Sequence, residues 1–297
     1  MVQRNREMIT KKTMDYVELH TKDQFAEYVQ TLHETTIALD LEGEFNLHEY
    51  GEKLCLIQIY DGRNFVIIDP CKFEKTMLAG IFENPQITKV MYGASSDLSL
   101  LKNWAGLTCR AVLDLQLGIA LLQQTTMLLN LHAAIASYLG VAIDCSKSKK
   151  SYQKYNWTKR PYDHDALQYA LNDVKYLLAL QTRVMTQLDE NGLREQFFMK
   201  NDLLLTKDYR RTPGENLRKK MAYRRLSRAD QARFDKVFHI REQYAKNANL
   251  PPNAVIENNE LFEIARNVKR LDAVQFPRRL QNAVVAELRQ AIAAALN

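Results

Sequence analysis

The chain has 297 residues, of which 46% are apolar and 26% are charged, values that predict a soluble globular protein with one large domain and one smaller one. The net charge of +6 suits a polyanionic partner, although many basic proteins bind none. No apolar run reaches the roughly 18 residues that cross a bilayer, which excludes a membrane-spanning chain.

The four cysteines argue against a zinc knuckle, because they lie far apart and form no CxxC pair. They are Cys55, Cys71, Cys109 and Cys145. We interpret them as reduced thiols of a cytoplasmic protein. Residues 1–17 are charged and lack the apolar core of a signal peptide, so we interpret them as an N-terminal extension.

Short apolar runs rich in β-forming residues predict the first strands. These runs are TIALDLE, LCLIQIY and FVIID, at residues 36–42, 54–60 and 65–69. Asp61-Gly62 predicts a hairpin between the last two strands. A helix is expected at 72–83 and a further strand at 87–92. This order predicts a parallel crossover added to an antiparallel meander.

Helical patterns follow, with helices expected at 95–104, 115–123, 128–139, 163–190 and 193–205. The helix at 163–190 is predicted from an apolar stripe at helical spacing. The residues of this stripe are Leu167, Leu171, Val174, Leu178 and Met185. Asp163 is suited to cap the start of this helix, and Gly192 follows its end.

The composition changes after residue 206. Residues 207–228 carry nine basic residues against two acids, and Pro213-Gly214 breaks any helix there. We therefore predict a main domain over 18–206 and a basic linker over 207–228. Further helical patterns predict a small all-α domain over 229–297, with helices at 229–249, 257–268 and 278–296.

Two carboxylates, Asp40 and Glu42, lie at the end of the strand predicted at residues 36–42. Side chains alternate along a strand, so both point to the same face. Adjacent carboxylates repel each other, and a divalent cation removes that penalty because oxygen ligands suit Mg²⁺ or Mn²⁺. A metal site is one interpretation of this pair, and solvated acids at a strand end are the other.

Two later segments carry further acids. Asp97 follows the strand at 87–92, where sites gather in open sheets, although an aspartate in a first helical turn also favours the helix dipole. Tyr169 and Asp173 are four residues apart and lie on one side of a helix, as many pairs without a function do. Four acids in three separated segments are what two-metal phosphodiester hydrolysis needs. In that reaction two cations about 4 Å apart hold the attacking hydroxide and stabilise the leaving 3′ oxygen.

Three short segments resemble the motifs of the DEDD superfamily of 3′→5′ exonucleases. They are ALDLEGE, YGASSDLSLL and YALNDV, in the order and at the intervals of that superfamily. A tyrosine four residues before the last aspartate is typical of the DEDDy branch. The segments LCLIQIYDGRNFVIIDP and NWTKRP resemble the ribonuclease D group, and the resemblance covers residues 18–200.

The resemblance implies a ribonuclease H-like α/β fold, in which a five-stranded mixed sheet is flanked by helices. It also implies two divalent cations, Mg²⁺ or Mn²⁺. Asp40 would bridge both cations, Glu42 and Asp173 would complete one metal site, and Asp97 would act on the other through water. Tyr169 would hydrogen-bond the attacking water. The reference pKa of tyrosine, near 10, favours positioning over proton abstraction.

Basic residues mark candidate contacts with nucleic acid. Residues 147–160 carry six basic residues and no acid, with three aromatic residues between them. This pattern suits a single-stranded nucleic-acid track, and a mobile loop is the alternative. The candidates there are Lys147, Lys149, Lys150 and Lys154. His48 is a further candidate, in a segment that departs from the Phe-x-Arg pattern of many ribonucleases D, and a solvated loop is its alternative.

Residues 237–266 resemble the helicase-and-ribonuclease-D C-terminal (HRDC) domain, with room for a single copy. The resemblance implies a two-metal exoribonuclease that acts on single-stranded 3′ ends of RNA and releases nucleoside 5′-monophosphates. The implied substrates are the 3′ trailers of precursor tRNA and other small structured RNAs. A DNA exonuclease of the Werner type is an alternative. A non-catalytic nucleic-acid-binding scaffold is another, and the presence of all four acids and the tyrosine argues against it.

Overall fold

The computed structural model describes residues 13–32, 35–143, 152, 154–274, 276, 280 and 282–296. The chain divides into two compact units. The first unit comprises the described residues up to Glu42 together with Leu54–Leu101 and Ala105–Asp208. The second comprises Gly43–Lys53, Lys102–Trp104 and the described residues from Tyr209 onwards.

The first unit is built on a mixed sheet of six strands in the order β1-β4-β3-β2-β5-β6. The strands are β1 (Val17–Leu19), β2 (Thr36–Phe45), β3 (Glu52–Tyr60), β4 (Phe65–Ile68), β5 (Thr88–Met91) and β6 (Val112–Asp114). Strand β1 is parallel to β4, β4 is antiparallel to β3, and β5 is parallel to both β2 and β6. The mixed α/β fold is confirmed, with one strand more than the resemblance implies.

The sequence pattern did not predict the two shortest strands, β1 and β6, which have three residues each. An alternating pattern needs at least four residues to be recognised. In β6 the Asp114 N–H donates to the Asn201 side-chain oxygen at 2.9 Å, and the Asn201 amide donates to the Val112 carbonyl at 2.7 Å. Contacts nearly 90 residues away along the chain therefore help to define this strand.

Eight helices of the first unit lie within the described residues. They are α1 (Lys22–Thr31), α2 (Ala79–Phe82), α3 (Ser95–Ala105), α4 (Leu115–Leu122), α5 (Leu131–Leu139), α6 (His164–Lys175), α7 (Leu177–Glu190) and α8 (Arg194–Leu205). The helix predicted at 72–83 is shorter, with a 3₁₀ turn at Pro70–Lys72 and then α2. The chain leaves the helical path at Phe73, whose buried ring contacts Phe25 at 5.2 Å between centroids.

The helix predicted at 163–190 is two helices, α6 and α7, separated at Tyr176. In α6 the predicted apolar stripe is buried. After the break the buried residues are Leu177, Leu180, Val184 and Leu188. Leu178 and Met185 of the predicted stripe are partly exposed. The buried face of α7 is therefore shifted by one residue from the predicted stripe, from Leu178 and Met185 to Leu177 and Val184.

Local signals at the ends of elements are confirmed. The Asp163 carboxylate caps α6, accepting hydrogen bonds from the N–H groups of Asp165 and Ala166 at 3.0 and 3.1 Å. Between β3 and β4, Gly62 has a φ of +94°, a conformation that glycine adopts without strain. The Asp61 carboxylate accepts hydrogen bonds from two N–H groups of the same turn. These side chains satisfy backbone groups that the elements leave open.

Arg160 ties the segment before α6 to the sheet. Its guanidinium donates two hydrogen bonds to the nearly buried Asp69 carboxylate, at 2.6 and 2.9 Å, and one to the Cys55 carbonyl at 2.9 Å. Burial alone would raise the pKa of Asp69, but these bonds outweigh burial and hold its pKa below the usual value. Trp157, three residues earlier, is 3% exposed and packs in the core. Part of the basic segment at 147–160 is therefore anchored.

The second unit is an all-helical bundle apart from the loop and strand ends at Gly43–Lys53. Its helices are α9 (Glu215–Arg218), α10 (Met221–Arg224), α11 (Arg228–Ala248), α12 (Pro252–Val255), α13 (Asn258–Arg266), a 3₁₀ helix (Val268–Ala273) and α14 (Asn282–Leu296). Its core is centred on Phe234, whose ring stacks on Phe262 at 4.9 Å between centroids. Leu217 and Leu226 belong to this core. Much of the segment predicted as a linker is thus folded into the bundle.

Among the helices described, none combines the length and the apolar character that crossing a membrane requires.

Candidate active site

Three of the predicted acids meet in the first unit. Asp40 and Glu42 lie on β2, and Asp173 lies on α6. One carboxylate oxygen of each residue lies within 4.8 Å of one carboxylate oxygen of each of the other two. Three carboxylate oxygens at this separation form a donor set that suits a divalent cation such as Mg²⁺ or Mn²⁺.

The alternation of β2 places the first two acids on one face of the sheet. Leu39 and Leu41 are buried on the opposite face, while Ala38 packs against the core beneath α6 and α7. Asp40 and Glu42 continue the Ala38 side of the strand, towards the helix that carries Asp173. The sheet therefore aims both carboxylates at α6.

Asp97 is the fourth acid, in the first turn of α3 directly after β5. It is 8% exposed. The turn before it is held by Asp114, whose carboxylate accepts hydrogen bonds from the N–H groups of Gly93 and Ala94 at 2.8 and 2.9 Å. Asp114 lies in none of the three sequence motifs. A helix-capping aspartate at the start of α4 gives no local sign that it also fixes a turn 20 residues earlier.

The surroundings of Asp40, Glu42 and Asp97 raise the pKa of each of these acids. Burial is the largest cause that raises the pKa of Asp40 well above its usual range. The neighbouring charges of Asp97, Asp173 and Glu42 raise it further, in that order. Burial, followed by the charges of Asp173 and Asp97, also raises the pKa of Glu42. Burial and the charge of Asp114 raise the pKa of Asp97 to about 8. Ionising these carboxylates without a bound cation is unfavourable, because they repel one another and are poorly solvated. A divalent cation would offset this energy.

Tyr169 lies one helical turn before Asp173 and shares its pocket. The pocket is lined by Asp40, Tyr92, Asn130, Leu131, His132, Tyr169, Asp173 and Leu177. The Tyr169 ring stacks on Tyr152, with 5.1 Å between centroids and 28° between planes. This stacking restricts the direction in which the hydroxyl can point.

His132 is a pocket residue that the sequence analysis missed. It lies in the first turn of α5, and its Nε2 is 3.6 Å from an Asp173 carboxylate oxygen. The two residues are 41 positions apart and share no motif. A local pattern therefore gave no signal for this contact.

The structure describes two of the five residues that were predicted to contact nucleic acid, His48 and Lys154. His48 belongs to the second unit, where its ring Nδ1 is 3.0 Å from the Glu44 carboxylate. Lys154 is exposed. Lys147, Lys149 and Lys150 lie outside the described residues. All five stay predictions.

The raised pKa values predict how stability depends on pH and on metal. An unfolded aspartate has a pKa of about 4, so folding raises the pKa of Asp97. The contribution of protonated Asp97 to the free energy of unfolding is fully present below about pH 4 and is lost as the pH rises through about 8. Without metal, we expect the free energy of unfolding to fall over this range. At pH 8, Mg²⁺ at about 100 times its dissociation constant should add about 2–3 kcal/mol.

Urea unfolding with chelator and with Mg²⁺, from pH 5 to pH 8, measures both effects. The Asp97→Asn variant is the control, because it removes one titrating carboxyl and should flatten the dependence on pH. A stability at pH 8 that does not respond to Mg²⁺ or Mn²⁺ would contradict a metal site at these acids.

Comparison with known protein families agrees with the motifs. A family profile described as "3′-5′ exonuclease" matches residues 16–189, more than half of the chain. Ribonuclease D of Serratia proteamaculans is 28% identical over 239 residues, which cover 78% of this chain and 61% of that protein. Ribonuclease D of Escherichia coli is 29% identical over 181 residues, which cover 60% of this chain and 46% of that protein. The chain thus matches about half to three-fifths of these relatives' length.

Solved structures show the same fold. The catalytic core of RRP6 from Trypanosoma brucei has a TM-score of 0.75 at 24% identity, covering 97% of this chain and 81% of that one. The structure of Escherichia coli RNase D has a TM-score of 0.74 at 23% identity, covering 95% of this chain and 75% of that one. At these identities the similarity shows the fold alone. Together with the family profile and the motifs, it places this chain in the 3′-5′ exonuclease family, with ribonuclease D among its relatives.

Proposed function

We propose that this protein is a metal-dependent exoribonuclease that removes nucleotides from the 3′ end of RNA as nucleoside 5′-monophosphates. The observation that carries this proposal is the convergence of Asp40, Glu42 and Asp173 within 4.8 Å, where Asp40 and Asp173 line one pocket with Tyr169. The family membership supports 3′-5′ hydrolysis, and the curated relatives named above are ribonucleases.

The four acids would hold two divalent cations, Mg²⁺ or Mn²⁺. Such cations acidify the attacking water and offset the negative charge that develops on the leaving 3′ oxygen. The role of the chain is to keep Asp40, Glu42 and Asp173 close together despite their repulsion. The sheet and α6 do this by burying Leu39, Leu41 and Val174, which are neighbours of the acids along the chain. The favourable packing of the core therefore offsets the repulsion among the acids.

Tyr169 would orient the attacking water. Its hydroxyl can donate and accept a hydrogen bond, and with a reference pKa near 10 it stays protonated at neutral pH. The ring is held by Tyr152 and by its place on α6. A group fixed from two sides loses little freedom when it binds water, which favours a defined direction of attack.

We further propose structured RNAs as substrates, among them tRNA precursors, whose single-stranded 3′ ends would be trimmed in the cytoplasm. The Escherichia coli relative is described as an exoribonuclease involved in structured RNA processing. In this proposal residues 18–206 form the exonuclease domain, and the helices from residue 229 form an HRDC-like domain.

Matched RNA and DNA oligomers with a 3′ overhang test the proposal. With Mg²⁺ or Mn²⁺, mass analysis should show RNA shortened one nucleotide at a time and nucleoside 5′-monophosphates released. We expect slower hydrolysis of DNA, because DNA lacks the 2′-hydroxyl by which proteins distinguish RNA. Faster hydrolysis of DNA would instead support a Werner-type DNA exonuclease. Binding without hydrolysis of either oligomer would support a non-catalytic scaffold.

A further inference from the structure

The segment from Pro213 to Asp235 has far more positive than negative charge. It contains seven Lys and Arg residues and three acids. Each acid is already paired within the segment. Glu215 pairs with Lys219, Asp230 pairs with Arg233, and Asp235 pairs with Arg218 at 2.9 Å. Four cations therefore remain without a counter-charge from their own segment.

These four cations are Lys220, Arg224, Arg225 and Arg228, which we call the basic patch. All four are exposed. Among the residues that the structure describes, none provides their side chains with an ion pair or a hydrogen bond. A group of uncompensated charges repels itself, so the patch is a site where an anion would lower the energy.

The fold gathers the patch on one side of α10. Ala222 and Tyr223 face the core of the second unit, and the Tyr223 ring contacts Phe234 at 5.1 Å between centroids. At about 100° per residue, Arg224 and Arg225 then lie on the opposite, outward side of this helix. Lys220 directly precedes the helix.

Arg228 extends the patch beyond α10. It begins α11 three residues after Arg225, within about 11 Å of chain. Leu226, between them, is buried and fixes the connection. Met221, on the outward side of α10, is 58% exposed and adds an apolar surface among the charges.

Two arginines elsewhere in the second unit differ from the patch. Arg266 pairs with Glu263 at 2.7 Å, and Arg270 pairs with Glu260 at 2.9 Å. A phosphate would have to compete with these acids. The patch is therefore distinguished by four cations close together along the chain that lack acidic partners among the described residues, rather than by charge alone.

We propose that the basic patch binds the phosphate groups of the RNA strand that the protein degrades, a partner that rests on the proposed exoribonuclease function. Phosphate matches the fork of the three arginines, which can donate two parallel hydrogen bonds to one phosphate. Met221, exposed among these cations, offers an apolar surface to a base or ribose. Binding adds affinity with little preference for base sequence.

The test compares RNA affinity at several salt concentrations in full-length chains that all carry Asp40→Asn, so that hydrolysis does not interfere. The patch variant adds Arg224→Gln, Arg225→Gln and Arg228→Gln, since glutamine removes charge but favours helix. Fluorescence anisotropy with a labelled single-stranded RNA gives each dissociation constant. At about 50 mM salt, we expect the dissociation constant of the patch variant to be about tenfold higher than that of the parent, or higher still. The slope of log affinity against log salt should become shallower by about 2, near 0.7 per lost phosphate contact.

A matched control carries Arg183→Gln, Lys200→Gln and Lys246→Gln, three exposed cations outside the patch. It loses the same charge and should bind RNA as the parent does. A second variant with lysine at positions 224, 225 and 228 keeps the charge and should retain most of the salt slope. Circular dichroism and thermal unfolding confirm that each variant is folded.

Equal losses in the patch variant and the control would overturn the proposal, because net charge alone would then explain the affinity. Unchanged RNA binding in the patch variant would also overturn it, as would patch-dependent binding to phosphatidylserine vesicles without binding to RNA. The proposed function fails separately, through absent hydrolysis in the unmodified chain. Binding of RNA through the patch would still be measured in that case.

Discussion

Asp40→Asn is expected to lower the rate of RNA hydrolysis by about 10³-fold or more. The charges of Asp97, Asp173 and Glu42 all raise the pKa of Asp40, so its carboxylate interacts with each of the other three acids. In the proposed mechanism the Asp40 carboxylate helps to hold divalent cations, and bound cations stabilise the transition state by several kcal/mol. Replacing the carboxylate by an amide would weaken that contribution. Each 1.36 kcal/mol corresponds to about a tenfold change in rate.

The fold should survive this substitution, because the variant loses a repulsion between charges. The asparagine side-chain oxygen can still accept the hydrogen bond that the Leu41 N–H donates to Asp40. Single-turnover hydrolysis of an end-labelled RNA measures the rate, and urea unfolding measures the stability without metal. Asp163→Asn is the matched control. It makes the same chemical change at the cap of α6, where asparagine serves as well as aspartate, and should leave the rate unchanged. A rate for Asp40→Asn within tenfold of the unmodified chain would exclude a central role for Asp40.

Tyr169→Phe is expected to lower turnover by about 10²–10⁴-fold, the usual effect of losing a positioning or acid-base group. The phenyl ring keeps the stack on Tyr152 and the packing of α6, so the change removes the hydroxyl alone. RNA binding should therefore change little, and the loss should appear in kcat rather than in KM.

Steady-state kinetics on a short RNA, combined with anisotropy for binding, separate these two effects. Tyr176→Phe is the control, because Tyr176 lies at the junction of α6 and α7 and is not among the residues that line the pocket. It should turn over as the unmodified chain does. Turnover at the original rate in Tyr169→Phe would make Tyr169 a packing residue and leave activation of water to the cations.

Features that depend on a few neighbouring residues were predicted from the sequence. The period of two along β2 puts Asp40 and Glu42 on one face, and the helical period puts Tyr169 and Asp173 on one side of α6. The cap at Asp163 and the turn at Gly62 follow from the same short-range chemistry. Each of these depends on backbone geometry within one or two turns, which residue types largely determine.

Local sequence patterns did not predict that these two pairs of residues would meet in the folded chain. Asp173 lies more than 130 positions after Asp40, and their proximity depends on how α6 packs on the sheet. The motifs implied this arrangement by resemblance, but no spacing along the chain measures it. His132 and Asp114 show the limit most clearly, because each acts on a residue 20 or more positions away and carries no local sign of doing so.

Charge shows the same division between sequence and structure. The sequence determined that residues 207–228 are strongly basic, and it predicted a linker from Pro213-Gly214. The tertiary structure decided that Leu217 and Leu226 are buried in the second unit, which makes the segment part of a folded bundle. It also decided that Arg218 has an acidic partner while Arg224 and Arg225 have none among the described residues. Composition counts charges, but pairing depends on which side chains the fold brings within a few ångströms of each other, and Coulomb energies vary steeply with that distance.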